Sequence, residues 1–262
     1  MDLNLAGKNA VICGSSQGIG KAIAMELAAL GATVTLFSRD IRKLEGVLAE
    51  LDRPASQRHS LLVADFNHPE NVKEVIDSYS GDHDHIHILV NNSGGPPPGR
   101  AIDASPEDFQ LAFSRHILSN QHIVKALVPG MKDAGYGRII NIVSTSVKLP
   151  IPGLGVSNTI RGAVASWAKT LSTELAPYGI TVNNILPGYT NTARLRSLIE
   201  STAKEKNMTV NEVEQSFITN IPARRFADPR ETAALAAFLA SPSAGYITGT
   251  SIRVDGGSTP SI

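Results

Sequence analysis

Along the chain, short apolar runs alternate with longer stretches in which apolar positions recur every three or four residues. The runs Asn9 to Cys13, Thr33 to Ser38, Ser60 to Ala64, Ile86 to Asn91, Arg138 to Val143, Thr181 to Leu186 and Ser251 to Val254 predict strands. Continuous apolar runs suit strands buried on both faces, and the helical stretches between them are the crossovers that parallel strands require. The pattern predicts an α/β fold in a single domain. Its core is a doubly wound parallel sheet, the Rossmann arrangement, of about seven strands with helices on both faces. No repeat, low-complexity tract or linker divides residues 1–262.

The first strand breaks into Gly14-Ser15-Ser16-Gln17-Gly18-Ile19-Gly20, and Ile19, Ile23, Leu27 and Leu30 follow at helical spacing. A helix that opens on a glycine turn presents unpaired N–H groups, a ready site for the diphosphate of a dinucleotide. Gly14 and Gly18 allow backbone angles and approaches that a Cβ would forbid, and Gly20 lets helix and strand pack closely. The second strand ends in Phe37-Ser38-Arg39 with no acid to take a ribose 2′-hydroxyl. Arg39, with Ser38 beside it, suits a 2′-phosphate, which favours NADP(H) over NAD(H). Asp40 pulls the other way.

Composition narrows the partners. Lysine plus arginine and aspartate plus glutamate are both 24, so no net field recruits nucleic acid or an acidic membrane surface. A small-molecule substrate is the expected partner. The single cysteine, Cys13, lies in an apolar strand and points to a reducing compartment and a packing role. No run is long and apolar enough for a membrane span, and Met1 to Lys8 has no basic stretch followed by an apolar core, so a cytoplasmic location is expected.

The chain resembles the short-chain dehydrogenase/reductases, on the 3-oxoacyl-acyl-carrier-protein reductase-like side, over nearly its whole length. The resemblance rests on the glycine turn, Asp65, Asn91-Asn92-Ser93-Gly94, Asn141-Ile142-Val143-Ser144, Pro187-Gly188, Gly249 and Val254-Asp255-Gly256-Gly257. It implies that Asp65, with Phe66 beside it, meets adenine. By the same resemblance Asn92, Ser93 and Gly94 line the cofactor, Pro187-Gly188 lies beside nicotinamide, and Thr190 and Thr192 serve its amide. It further implies a homotetramer, or a homodimer.

The family works with asparagine, serine, tyrosine and lysine. Here Ser144 takes the serine position, while Ser157 stands at the tyrosine position, Arg161 at the lysine position and His116 at the asparagine position. An aliphatic alcohol is far too weak an acid to replace a phenol, and a guanidinium holds a ribose or a charge more readily than it carries a proton. Lys148, His116 and Tyr189 are the candidate substitutes for the missing acid, with Lys148 favoured. The expected activity is hydride transfer between NADP(H) and a carbonyl/alcohol substrate, 3-oxoacyl-like in one version. Two alternatives stay open: a dinucleotide-binding sensor or assembly partner without dehydrogenase activity, and a lyase or isomerase on the same scaffold.

Two segments are expected to shape the pocket. Gly94 to Gly99 reads as a flexible start followed by a stiff proline run, a wall over the cofactor. Residues 189–221 resemble a substrate lid, with helical patterns at Leu195, Leu198 and Ile199 and again at Val210, Val213 and Phe217. His83, His85 and His87 alternate into the fourth strand, but lack a fourth ligand and are not assigned to a metal.

Overall fold

The computed structural model describes residues 1–82 and 85–261. The sheet runs β1 (Asn9–Cys13), β2 (Thr33–Ser38), β3 (Ser60–Val63), β4 (Ile88–Asn91), β5 (Gly137–Ile142), β6 (Ile180–Pro187) and β7 (Ser251–Val254). Every pairing is parallel, in the spatial order β3-β2-β1-β4-β5-β6-β7. Strand order reverses between β1 and β4. At such a switch point the loops leave the two strand ends in opposite directions and open a crevice.

Alternation along each strand sends side chains to two separate cores. On one face Ala10, Ile12, Ile88 and Ile140 pack against α1 (Gly18–Ala29). Small Ala233, Ala236 and Ala237 of α9 (Pro229–Ala240) complete that layer. On the other face Val11, Leu89 and Ile139 meet Ile76 of α3 (Pro69–Asp82). Ile123 and Leu127 of α5 (Ser119–Asp133) and Ala168 of α6 (Gly155–Leu175) lie in the same layer. Between them α2 (Ile41–Glu50) follows β2, and α4 (Pro106–Phe113) leads through a π turn, Ser114–Leu118, into α5. The segment after β6 holds α7 (Ala193–Lys206) and α8 (Val210–Thr219), with their own small core of Leu195, Ile199 and Val213 against Tyr189 and Phe217.

Four neighbouring strands are tied by side chains in register. Asn91 Nδ2 donates to Asn141 Oδ1 (2.9 Å), Asn141 Nδ2 to Asn184 Oδ1 (3.0 Å) and Asn184 Nδ2 to Ser251 Oγ (3.0 Å). Each amide passes the bond on, so β4 to β7 are held together as one unit beneath the cleft. Among the described residues no helix is long and apolar enough to cross a membrane. Cys13 is buried, which pushes its thiol up and leaves it inert.

Candidate active site

Helix starts in this chain differ in how they are closed. Ser105 with Asp108, Thr209 with Glu212 and Asp228 with Glu231 form reciprocal capping boxes on α4, α8 and α9. At α1 the cap residue Gln17 makes no side-chain bond, and the first turn carries no acid. Its N–H groups face the crevice with their partial positive charge uncompensated. The turn itself is closed by backbone contact. A Cβ on Gly20 would lie 2.2 Å from the Gly14 carbonyl oxygen, and one on Gly14 would lie 2.3 Å from that of Asn92. Asn92 Nδ2 also donates to the Gly14 carbonyl (3.1 Å), which ties the ends of β1 and β4 together.

From this turn a cleft of about 720 Å³ runs over the strand ends. Gly14, Ser16, Gln17, Gly18 and Ile19 line it, as do Ser38, Arg39, Asp65, Phe66, Asn92, Ser93 and Gly94. Ser144, Ser157, Arg161, Pro187, Gly188, Thr190 and Thr192 line the remainder. Most of the expected site is therefore brought together. Four expected residues are not on its wall. Ser15 is buried with its hydroxyl accepting the Phe37 N–H at 3.0 Å, so it holds β1 to β2. Gly20 serves the turn from behind. Lys148 is exposed after a 3₁₀ turn and does not line the cleft, because that turn carries its side chain outward. His116 is 1% exposed and lies behind the wall.

At the adenosine end Arg39 stands 3.6 Å from Asp65. Burial would raise the Asp65 carboxyl, but the Asn67 N–H and Arg39 outweigh it and hold it below its ordinary value. Asp40 caps α2 by accepting the Lys43 N–H. It is thus occupied in the helix start, which weakens the case for it as a ribose acceptor. The Ser38 hydroxyl is buried with no partner. A donor left over beside an arginine at the end of β2 suits a phosphate oxygen, and the open turn of α1 suits a diphosphate. The residues present therefore fit a phosphorylated dinucleotide.

At the other end Ser144 caps the turn Thr145–Val147, its Oγ accepting the Ser146 N–H at 3.1 Å, so its own proton remains to be donated. Ser157 and Arg161 lie one turn apart on α6 and both face the cleft. Arg161 Nη1 donates to the Ile142 carbonyl at 3.0 Å. Burial, then the charges of Arg194 and Arg115, lower Arg161 to about 10, which still leaves it a cation at neutral pH. His116 Nδ1 meets Ser93 Oγ at 2.8 Å while its Nε2 is buried without a partner. Burial, followed by the charges of Arg161 and Arg115, holds this imidazole well below its ordinary value, so it is neutral. Thr192 caps α7 and Thr190 Oγ1 donates to the Gly188 carbonyl, so both hydroxyls have work within the loop.

Two arginines went unnoticed in the sequence. Arg115 binds the Asn67 side chain and the Gly94 carbonyl, and Arg194 binds the Pro96 carbonyl; both line the cleft. The available signal was position: Arg115 adjoins His116, and Arg194 opens the helix that follows Thr192. The proline run contributes less than expected, since Gly94 and Gly95 line the cleft and Pro97 and Pro98 do not. His85 and His87 are engaged by Asn9, and His83 lies outside the described residues. Among the described residues no cluster suited to a metal ion occurs.

An open glycine turn at the switch point of a parallel sheet, facing a serine at the end of β5, defines a dinucleotide-binding oxidoreductase fold. The chain belongs to the short-chain dehydrogenase/reductase family. A family model described as enoyl-(acyl carrier protein) reductase matches residues 14–259. The chain is 32% identical to the NADPH-dependent reductase BacG of Bacillus subtilis strain 168, over 98% of this chain and 100% of that one. It is 37% identical to the oxidoreductase UcpA of Escherichia coli K12, over 97% and 95%. The crystal structure of L-sorbose reductase from Gluconobacter frateurii, complexed with NADPH and L-sorbose, superposes with a TM-score of 0.93. Its sequence identity is 32%, with both chains fully covered.

Proposed function

We propose that the protein is an NADP(H)-dependent oxidoreductase that transfers hydride between the nicotinamide and a carbonyl/alcohol substrate. The observation that supports it is one continuous cleft joining the open turn of α1 and Arg39 to Ser144. NADPH names attached to BacG and to the sorbose reductase structure favour the phosphorylated cofactor. Ser38 and Arg39 would hold the 2′-phosphate, the first N–H groups of α1 the diphosphate, and Asp65 and Phe66 the adenine. Asn92, Ser93 and Gly94 would hold the ribose near the reaction centre, and Pro187, Gly188 and Thr190 the nicotinamide. When bound, the nicotinamide supplies or accepts the hydride.

Ser144 donates to the substrate oxygen and orients it. His116, neutral and behind the wall, acts by holding Ser93. For the proton, Tyr189 is the phenol that lines the cleft, stacked on Phe217 with ring centroids 4.7 Å apart. Burial raises Tyr189, so it is protonated and able to donate, though as a weaker acid than a phenol beside a cation. The exposed Lys148 is set aside for this role. Residues 189–221 form the substrate lid in this reading, supported by the separate core of α7 and α8. A homotetramer or homodimer is supported by exposed Leu111, Phe113 and Leu118 along α4 and the π turn, and a cytoplasmic location by the single, buried Cys13. The substrate is left at the carbonyl class, with 3-oxoacyl thioesters one candidate.

The test is fluorescence titration with NADPH and NADH, followed by cofactor oxidation against ketones, aldehydes and 3-oxoacyl thioesters. NADPH should bind at least tenfold tighter than NADH. Tyr189→Phe should lower kcat by about 100-fold, the scale of a lost general acid, with NADPH affinity retained. Tight binding with no turnover across the panel supports instead a nucleotide-binding protein that has lost the chemistry, the reading favoured by Ser157. Failure to bind either cofactor overturns both.

A further inference from the structure

Three arginines gather around the loop that follows β4. Arg115 Nη1 donates to the Gly94 carbonyl at 3.0 Å, Arg194 Nη2 to the Pro96 carbonyl at 2.5 Å, and Arg161 approaches from α6. Gly95 marks where they converge. A Cβ built there would stand 3.5 Å from Arg161 Nη2 and 3.8 Å from Arg194 Nη2, so two guanidinium nitrogens lie within 4 Å of one point. Such a pair of like charges calls for an anion between them.

Among the described residues no acid on the wall beside them supplies it. The acids that line the cleft are Asp40 and Asp65, and both are engaged at the far end, with Lys43 and Arg39, each at 3.6 Å. The charges bearing on Arg161 are the like charges of Arg194 and Arg115. Beyond the arginines the wall turns apolar, with Leu149, Ile151, Leu154, Leu195 and Leu198.

We propose that the reaction end of the cleft selects a substrate with an apolar body and a carboxylate, the carboxylate held between Arg161 and Arg194. Planar guanidinium forks match the two oxygens of a carboxylate, which a lysine at residue 161 would meet only as a point charge. Arg194 opens α7 and already reaches across to the loop at Pro96, so the bound carboxylate bridges the lid to the floor of the site. The assignment deepens the oxidoreductase reading and rests on it for the reacting bond, while the recognition of charge stands on the arginines alone.

Cyclohexanecarboxylate and cyclohexanecarboxamide share shape and differ in charge. Both are titrated calorimetrically into the protein, with and without NADPH, alongside inorganic phosphate. The carboxylate should bind at least tenfold tighter than the amide. Arg194→Gln should reduce that ratio below threefold, Arg194→Lys should retain part of it, and NADPH affinity should stay within twofold in both variants. Equal binding of the pair, binding of neither, or a preference for phosphate overturns the proposal. So does an Arg194→Gln protein that loses NADPH affinity and keeps the ratio, since the charge then serves the cofactor diphosphate. Loss of NADPH binding in the parent protein is seen separately and sinks the oxidoreductase reading instead.

Discussion

At the adenosine end of the cleft every charge has a counterpart: Arg39 stands against Asp65, and Asp40 against Lys43. At the reaction end Arg161 and Arg194 share the space over Gly95 with no acid beside them among the described residues of the wall. The first arrangement is exposed and adjustable, since the Arg39 side chain is 71% accessible and can leave Asp65 for a phosphate. The second is fixed by bonds to the Ile142 and Pro96 carbonyls. One end is thus built to exchange partners, and the other to receive a charge it lacks. Surface pairs in water are worth little, so the exchange at Arg39 is nearly free, whereas an uncompensated cation in a cleft is a strong selector.

The largest expected effect comes from the backbone that frames the two ends. Gly20→Val places side-chain atoms against the Gly14 carbonyl, where even a Cβ would lie at 2.2 Å. Overpacking of rigid backbone costs about 3 kcal/mol or more, roughly 6–12 °C in Tm for a chain of this size. NADPH binding should be lost with it. Gly46→Ala, on α2 and off the cleft wall, meets nothing within 4 Å and should keep both stability and NADPH affinity. Calorimetric melting and fluorescence titration of the two variants decide it. A Gly20→Val protein that binds NADPH normally would remove the close approach of α1 and β1 from the account.

The next effect is at the exchangeable end. Arg39→Ala should weaken NADPH about tenfold, the size of one charge-assisted contact discounted for its exposure, and leave NADH unchanged. Equal weakening of both cofactors would mean that Arg39 acts through Asp65 and the adenine side. A higher salt concentration should shrink the NADPH preference of the parent protein toward that of the variant.

The framing of the fold was readable in the sequence because its signals are local. The strand runs from Asn9 to Val254 appear as seven parallel strands, largely buried except at the sheet edges β3 and β7, with ends that move by a few residues, as at β4, which begins at Ile88 rather than Ile86. The glycine turn was readable for the same reason, as strand, turn and helix are contiguous. The reaction end was not, since its parts come from distant stretches: Gly95 after β4, Arg161 within α6 and Arg194 at the start of α7. No periodicity reports that three arginines meet. Lys148 shows the converse. It lies four residues past Ser144 and reads as a neighbour, yet the intervening 3₁₀ turn leaves it exposed. Ser15 is a similar case, because turn residues share a motif while only some face the cleft.

The smallest effect tests whether the uncompensated charge reaches the core behind the wall. His116 is buried and neutral, held well below its ordinary value by burial first and then by the charges of Arg161 and Arg115. In the unfolded chain it titrates near pH 6.5. Below that pH the unfolded state takes up a proton that the folded state refuses, so stability is full above about 6.5 and falls as pH drops toward the depressed folded value. The slope is about 1.4 kcal/mol per pH unit from this one residue. Melting curves between pH 7.5 and 5 should therefore show a decline, and His116→Asn should make it shallower. Arg161→Gln removes one of the two cations that bear on the imidazole, so His116 should titrate closer to its ordinary value, as seen by the pH dependence of its ring proton shifts. A His116 resonance that does not move in that variant would confine the charge to the cleft, and the two ends would then differ only in what they present to a ligand.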